Sequence, residues 1–90
     1  MPMPTAEELE QALSAAGRMR ETGDDPHYIA KALLNCQYRN GYLQAVLLAA
    51  EEYLRSGLAE REHTRLLKAI EKARAAENRS AGVEPPSLGL

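Results

Sequence analysis

Two histidines, one cysteine and a spread of carboxylates are the residues of this chain that could do chemistry. Glu60 and His63 are three apart, so a helix places them on neighbouring turns of one face. That spacing supplies two ligands in di-metal carboxylate bundles. One chain holds one such pair, so a site needs a second copy, with Glu51 or Glu52 completing the set. The simpler reading is a half-buried histidine near a surface glutamate, since single Glu-x-x-His matches arise readily by chance. Asp24, Asp25 and His27 cluster ahead of an apolar stretch. Two acids beside an imidazole can hold a metal or titrate near neutral pH. An aspartate just before a helix, however, is also its natural cap. Cys36 falls on an apolar line and reads as a small hydrophobe. No phosphate-cradling glycine loop, nucleophile elbow or zinc-ligand cluster is present. The expectation is a chain with no enzymatic activity, no metal and no cofactor.

Binding chemistry is better represented. The aromatic residues are four tyrosines, with no Phe and no Trp. Tyrosine suits half-buried rims, where the ring is covered and the hydroxyl is wet. Tyr28 and Tyr53 border the main apolar line and are expected at the core edge, with Tyr42 in the same stretch. Tyr38 lies opposite that line, beside Leu34, and is a candidate for an interface. Arg61, Arg65, Lys68, Lys72 and Arg79 fall within an arc of about 60° at helical spacing. A basic line of this kind meets phosphates or an acidic partner, or is simply a solvated face flanked by Glu62 and Glu71.

These residues must be positioned by helices. The stretch from Asp25 to Gly57 organises the chain. Asp25-Pro26 reads as a helix start, with proline at a position whose N–H is not needed. Ile29, Ala32, Leu33 and Cys36, then Leu43, Val46, Leu47, Ala50 and Leu54, recur at helical spacing. Ser56-Gly57 is the stop. Asn40-Gly41, between the two halves, is a strong turn dipeptide and predicts a break there. The rival is one unbroken helix. Ile29, Leu33, Cys36, Asn40, Leu43, Leu47, Ala50 and Leu54 alternate spacings of four and three, which is a heptad seam with Asn40 at a core position. Leu34 and Leu48, flanked by Ala30, Gly41 and Ala45, form a second, narrower apolar line.

Upstream, Thr5-Ala6-Glu7-Glu8 matches the capping box. Leu9, Leu13 and Ala16 make the apolar face of a first helix that Thr22-Gly23 ends. Downstream, Leu58 to about Asn78 predicts a last helix with Leu66, Leu67, Ile70 and Ala73 on its apolar face. There are no strand signals. Residues 1–4 read as a flexible N-terminus, 5–78 as a single helical domain, and 79–90 as a disordered tail rich in breakers.

One repeat pattern stands out. Ala32-Leu33-Leu34, Tyr38, then Gly41-Tyr42-x-x-Ala45 and Ala49 resembles one tetratricopeptide helix pair short of a residue at its turn. Such repeats need at least three copies to bury a continuous core, and no second copy follows. The pattern is therefore read as convergence on a tight helical hairpin.

Bulk properties bound the partners. At 90 residues with aromatic content of 4%, the core is thin for a size at which burial is already marginal. Self-association would relieve that. A net charge of −2 and a pI of about 5.7 argue against a generally basic nucleic-acid binder. One cysteine excludes an internal disulfide. No signal peptide or bilayer-spanning run is evident, so the expected location is the cytoplasm.

The expected fold is all-α: an antiparallel bundle of four helices, or three if the helix runs through Asn40-Gly41. Ile29, Leu33, Leu43, Leu47, Leu54, Leu66 and Ile70 should share the core with Leu9 and Leu13, so that Leu47→Ala costs roughly 2–5 kcal/mol. The expected role is a small protein–protein interaction module, a homodimer meeting its copy through Leu34, Tyr38, Gly41, Ala45 and Leu48. A nucleic-acid or regulatory binder using the basic stripe is one alternative, and a dimeric metal-carboxylate protein using Glu60 and His63 is the other.

Overall fold

A computed structural model describes residues 1–82. It is all-helical, with no strand among the described residues. Among the described residues three α-helices follow one another: α1 (Ala6–Thr22), α2 (Ile29–Arg55) and α3 (Glu60–Ser80), with one 3-10 turn, Pro26–Tyr28, ahead of α2. α3 continues through Ser80, two residues into the stretch 79–90 expected as a tail, and Val83–Leu90 lies outside the described residues.

The helix ends follow from local chemistry. Thr5 Oγ1 accepts the Glu8 N–H at 3.1 Å, and Glu8 accepts the Thr5 N–H at 2.7 Å, so each satisfies a free donor of the other. Gly23, at φ 78°, ends α1 in the left-handed conformation that glycine adopts without cost. At the end of α2 the Leu58 N–H reaches the Tyr53 carbonyl and the Gly57 N–H reaches that of Leu54. With Gly57 at φ 75°, this is the paired closure that satisfies orphaned carbonyls.

The four-helix expectation is corrected to three. α2 is a single helix of 27 residues running through Asn40-Gly41. A hairpin turn on Asn-Gly requires positive φ, and Gly41 is not among the residues with positive φ. A mid-helix glycine costs roughly 1 kcal/mol, which good helix formers on either side offset. The tetratricopeptide-like pattern therefore lies along one helix and lacks the turn that a helix pair requires.

The chain divides into two compact units with their boundary inside α2: Met1–Gln37, and a second from Tyr38 onwards. In the first, α1 and the opening turns of α2 bury Ala16 and Ala30. In the second, contacts nest: Tyr53 meets His63 near the turn, while Arg39 meets Glu77 and Tyr38 meets Arg79 at the far end. Fourteen residues back along α2 match fourteen forward along α3, so these segments form an antiparallel hairpin about 21 Å long. Ala73 and Ala76 of α3 are its buried residues.

The expected core is corrected as well. Among the described residues the buried hydrophobic ones are four alanines, Ala16, Ala30, Ala73 and Ala76. Leu9, Leu13, Leu33 and Leu66 are half-buried, and Ile29, Leu43, Leu47, Leu54 and Ile70 are exposed. Tyr28, expected at the core edge, is 68% exposed. The physical reason is the face α2 turns to α3. Tyr42, Val46 and Tyr53 lie on it, between the two apolar lines rather than on the heptad seam. Leu47→Ala within one chain thus removes little buried surface.

Nothing lies within 4 Å of a Cβ built on Gly41. Gly41→Ala should therefore stabilise α2 by about 1 kcal/mol, raising the thermal midpoint by roughly 4–8 °C at matched protein concentration. A midpoint that falls in circular dichroism would show that Gly41 is not an ordinary helical position.

Candidate functional site

The acidic cluster before α2 is a capping device. The Asp25 carboxylate accepts the Ala30 N–H at 2.7 Å and the Lys31 N–H at 3.0 Å, and Arg20 donates to it at 3.1 Å. The cap thus acts across the 3-10 turn, three residues later than a cap at the expected start would. Its seclusion pushes the carboxyl pKa up, but the two backbone donors and the Arg20 guanidinium outweigh that and hold it below the ordinary value. Both carboxylate oxygens are thus engaged within the chain, Oδ1 by one donor and Oδ2 by two. His27 and Tyr28 sit at φ 56° and 58°, an unfavourable region for such side chains. Lys31 lies over the Tyr28 ring at 5.9 Å.

The remaining chemical candidates are dispersed. His63 is exposed, its ring 5.5 Å from that of Tyr53. Glu52 pairs with Arg55 at 2.7 Å. Cys36, expected to be buried, is exposed. Among the described residues, no group of three or more His, Cys, Asp and Glu is arranged to hold a metal ion. None of the described helices is long and apolar enough to cross a membrane.

What the second unit does assemble is a hairpin with two unlike sides. On one side Leu43 and Val46 of α2 and Ile70, Ala73 and Arg74 of α3 line a shallow groove of about 520 Å³. Leu47 and Leu54 continue the α2 edge of this side, and Leu67 the α3 edge, by helical spacing. On the other side Tyr42 and Ala45 of α2 and Arg65, Lys68, Ala69 and Lys72 of α3 line a groove of about 250 Å³. The expected interface residues Tyr38, Gly41, Ala45 and Leu48 lie toward this second side and are exposed, whereas Leu34 is half-buried in the first unit.

Two polar links clamp the open end of the hairpin. Arg39 donates through Nε and Nη2 to the two Glu77 oxygens, each at 2.9 Å. Both side chains are more than a third exposed, so the pair contributes at most about 1 kcal/mol. Arg79 Nε donates to the Tyr38 hydroxyl at 2.8 Å, and its guanidinium lies 5.9 Å and 6.0 Å from the Tyr38 and Tyr42 ring centres. The Tyr38 hydroxyl holds the Arg79 pKa above its ordinary value, with burial opposing. Tyr38 and Tyr42 themselves pack edge to face at 5.4 Å. Sequence reading missed both links, because partners about forty residues apart carry no periodic signal. The glycine stop at Gly57 was the available clue, since a tight reversal there folds α3 back along α2.

No protein-family model matches the chain, and neither a curated protein nor a solved structure is similar to it.

Asp25→Ala should lower the thermal midpoint at neutral pH. A folded-state pKa below the unfolded one adds stability that is present above the unfolded value, about 3.9, and lost as pH falls through the folded value. The gap between variant and unmodified protein should therefore close as pH falls below about 4. A gap independent of pH would contradict the capping role.

Proposed function

We propose that this chain is a helical protein–protein interaction module that self-associates through the apolar side of its second unit. The observation that carries the reading is the inversion of its burial pattern. Leu43, Leu47, Leu54, Leu67 and Ile70 are 41–69% exposed, while among the described residues only alanines are buried. Their exposed surface is on the order of 450 Å² per chain, within the roughly 300–600 Å² of the largest patch on a typical monomer, a patch that is often functional. It is a little over half of the roughly 800 Å² per partner of a standard interface, and half-buried Leu66 and Val46 border it.

A second copy is the occupant we assign. The need for burial is intrinsic to folding, so the covering surface must be present wherever the chain folds. A two-fold contact reuses one patch and needs no other protein. Two hairpins meeting on this side make a four-helix assembly, in which facing apolar positions interdigitate. The Leu43–Leu54 seam supplies the heptad spacing that such packing uses. The Leu34–Leu48 line offers less: Leu34 is half-buried, and the rest is one leucine among small residues.

The test is sedimentation of the unmodified protein and of Leu47→Glu. The unmodified protein should run as a dimer at micromolar concentration. The glutamate would be buried against its copy without a partner, so the variant should run as a monomer with reduced helicity. An unmodified protein that sediments as a monomer at high micromolar concentration, with full helicity, contradicts the proposal.

A further inference from the structure

The opposite side of the hairpin carries a second groove, chemically unlike the first. In sequence the tyrosine–small-residue line and the basic stripe are unrelated features, on different helices. The antiparallel reversal at Gly57 sets them side by side, so that Tyr42 and Ala45 share a groove with Arg65, Lys68 and Lys72. We propose that this groove receives an amphipathic helix with an acidic edge, presented by a partner protein.

Three observations point to that occupant. The first is charge. Among the described residues, Arg61, Arg65, Lys68 and Lys72 make no ion pair. No carboxylate lines the groove. From Arg61 to Arg79 the cations extend about 27 Å at helical spacing, matching a straight rod of opposite charge. The second is the apolar margin. Leu48 is 62% and Tyr38 42% exposed along the α2 edge, and an apolar stripe on the incoming helix would cover them. A phosphate backbone would leave them wet, so the pairing of cations with an apolar edge favours an amphipathic helix over nucleic acid. The third is shape. Ala45 and Ala69 make a recessed floor between two helices, and Gly41 has nothing within 4 Å of an added Cβ. Small residues permit close approach of a helix, whereas a membrane surface is met by a protruding apolar face.

The experiment titrates the full chain with three probes. One is a synthetic helix with leucines on one line and glutamates beside it; the others are a single-stranded oligonucleotide and anionic lipid vesicles. The acidic helix should bind most tightly, and its affinity should fall with salt. Lys68→Glu combined with Lys72→Glu should weaken binding at least about tenfold, and Leu48→Ser alone should also weaken it by about tenfold. These positions are exposed, so circular dichroism and sedimentation should match the unmodified protein. That separates this surface from the self-association side: loss of dimerisation elsewhere leaves the titration to stand by itself. Preferential binding of the oligonucleotide or the vesicles overturns the proposal. So does binding of the acidic helix that neither set of substitutions weakens.

Discussion

A core made of alanine is the constraint on which the rest of this structure depends. Alanine lets helices approach closely, but each buried methyl contributes little, whereas a fully buried leucine or isoleucine is worth about 1.5–3 kcal/mol. Ordering a residue costs about 1–2 kcal/mol in backbone entropy. With Ala16, Ala30, Ala73 and Ala76 as the buried hydrophobic residues among those described, the larger apolar side chains are half-buried or exposed. The apolar surface that would offset the entropy is therefore directed outward. The proposed self-association would recover it, with the exposed leucine side as the surface covered.

The hairpin converts that constraint into two surfaces. Tyr42, Val46 and Tyr53 face α3, so the seam through Leu43, Leu47 and Leu54 turns to one side and Ala45 and Leu48 to the other. On α3 the same division places Ile70 with the seam and Arg65, Lys68 and Lys72 opposite. The Arg39–Glu77 and Tyr38–Arg79 links hold the far end in register. Being half-exposed, they set geometry more than stability.

Local features were legible in the sequence. The Thr5–Glu8 box, the Gly23 and Gly57 stops and the last helix depend on neighbours within a turn, so residue identity specifies them. Asn40-Gly41 was a contest between turn preference and helix continuity, and continuity prevailed. The core was misread for a different reason. Periodicity tells which face of α2 is apolar but not which face meets α3, and a helix with two apolar lines leaves that open. Other side chains have surroundings that periodicity does not specify: Asp25 accepts backbone donors beyond the 3-10 turn, Cys36 is exposed, and His63 lies beside Tyr53. Tyr38, Ala45 and Leu48 were singled out from their line alone, but their basic neighbours became visible only once α3 folded back.

The most direct measurement of the central claim is the concentration dependence of thermal unfolding in the unmodified protein. If the exposed leucine side is covered by a second copy, folding is coupled to association, and the midpoint must rise with protein concentration by mass action. A cooperative transition whose midpoint stays fixed across a hundredfold range of concentration would contradict the account, because the alanine core would then suffice by itself.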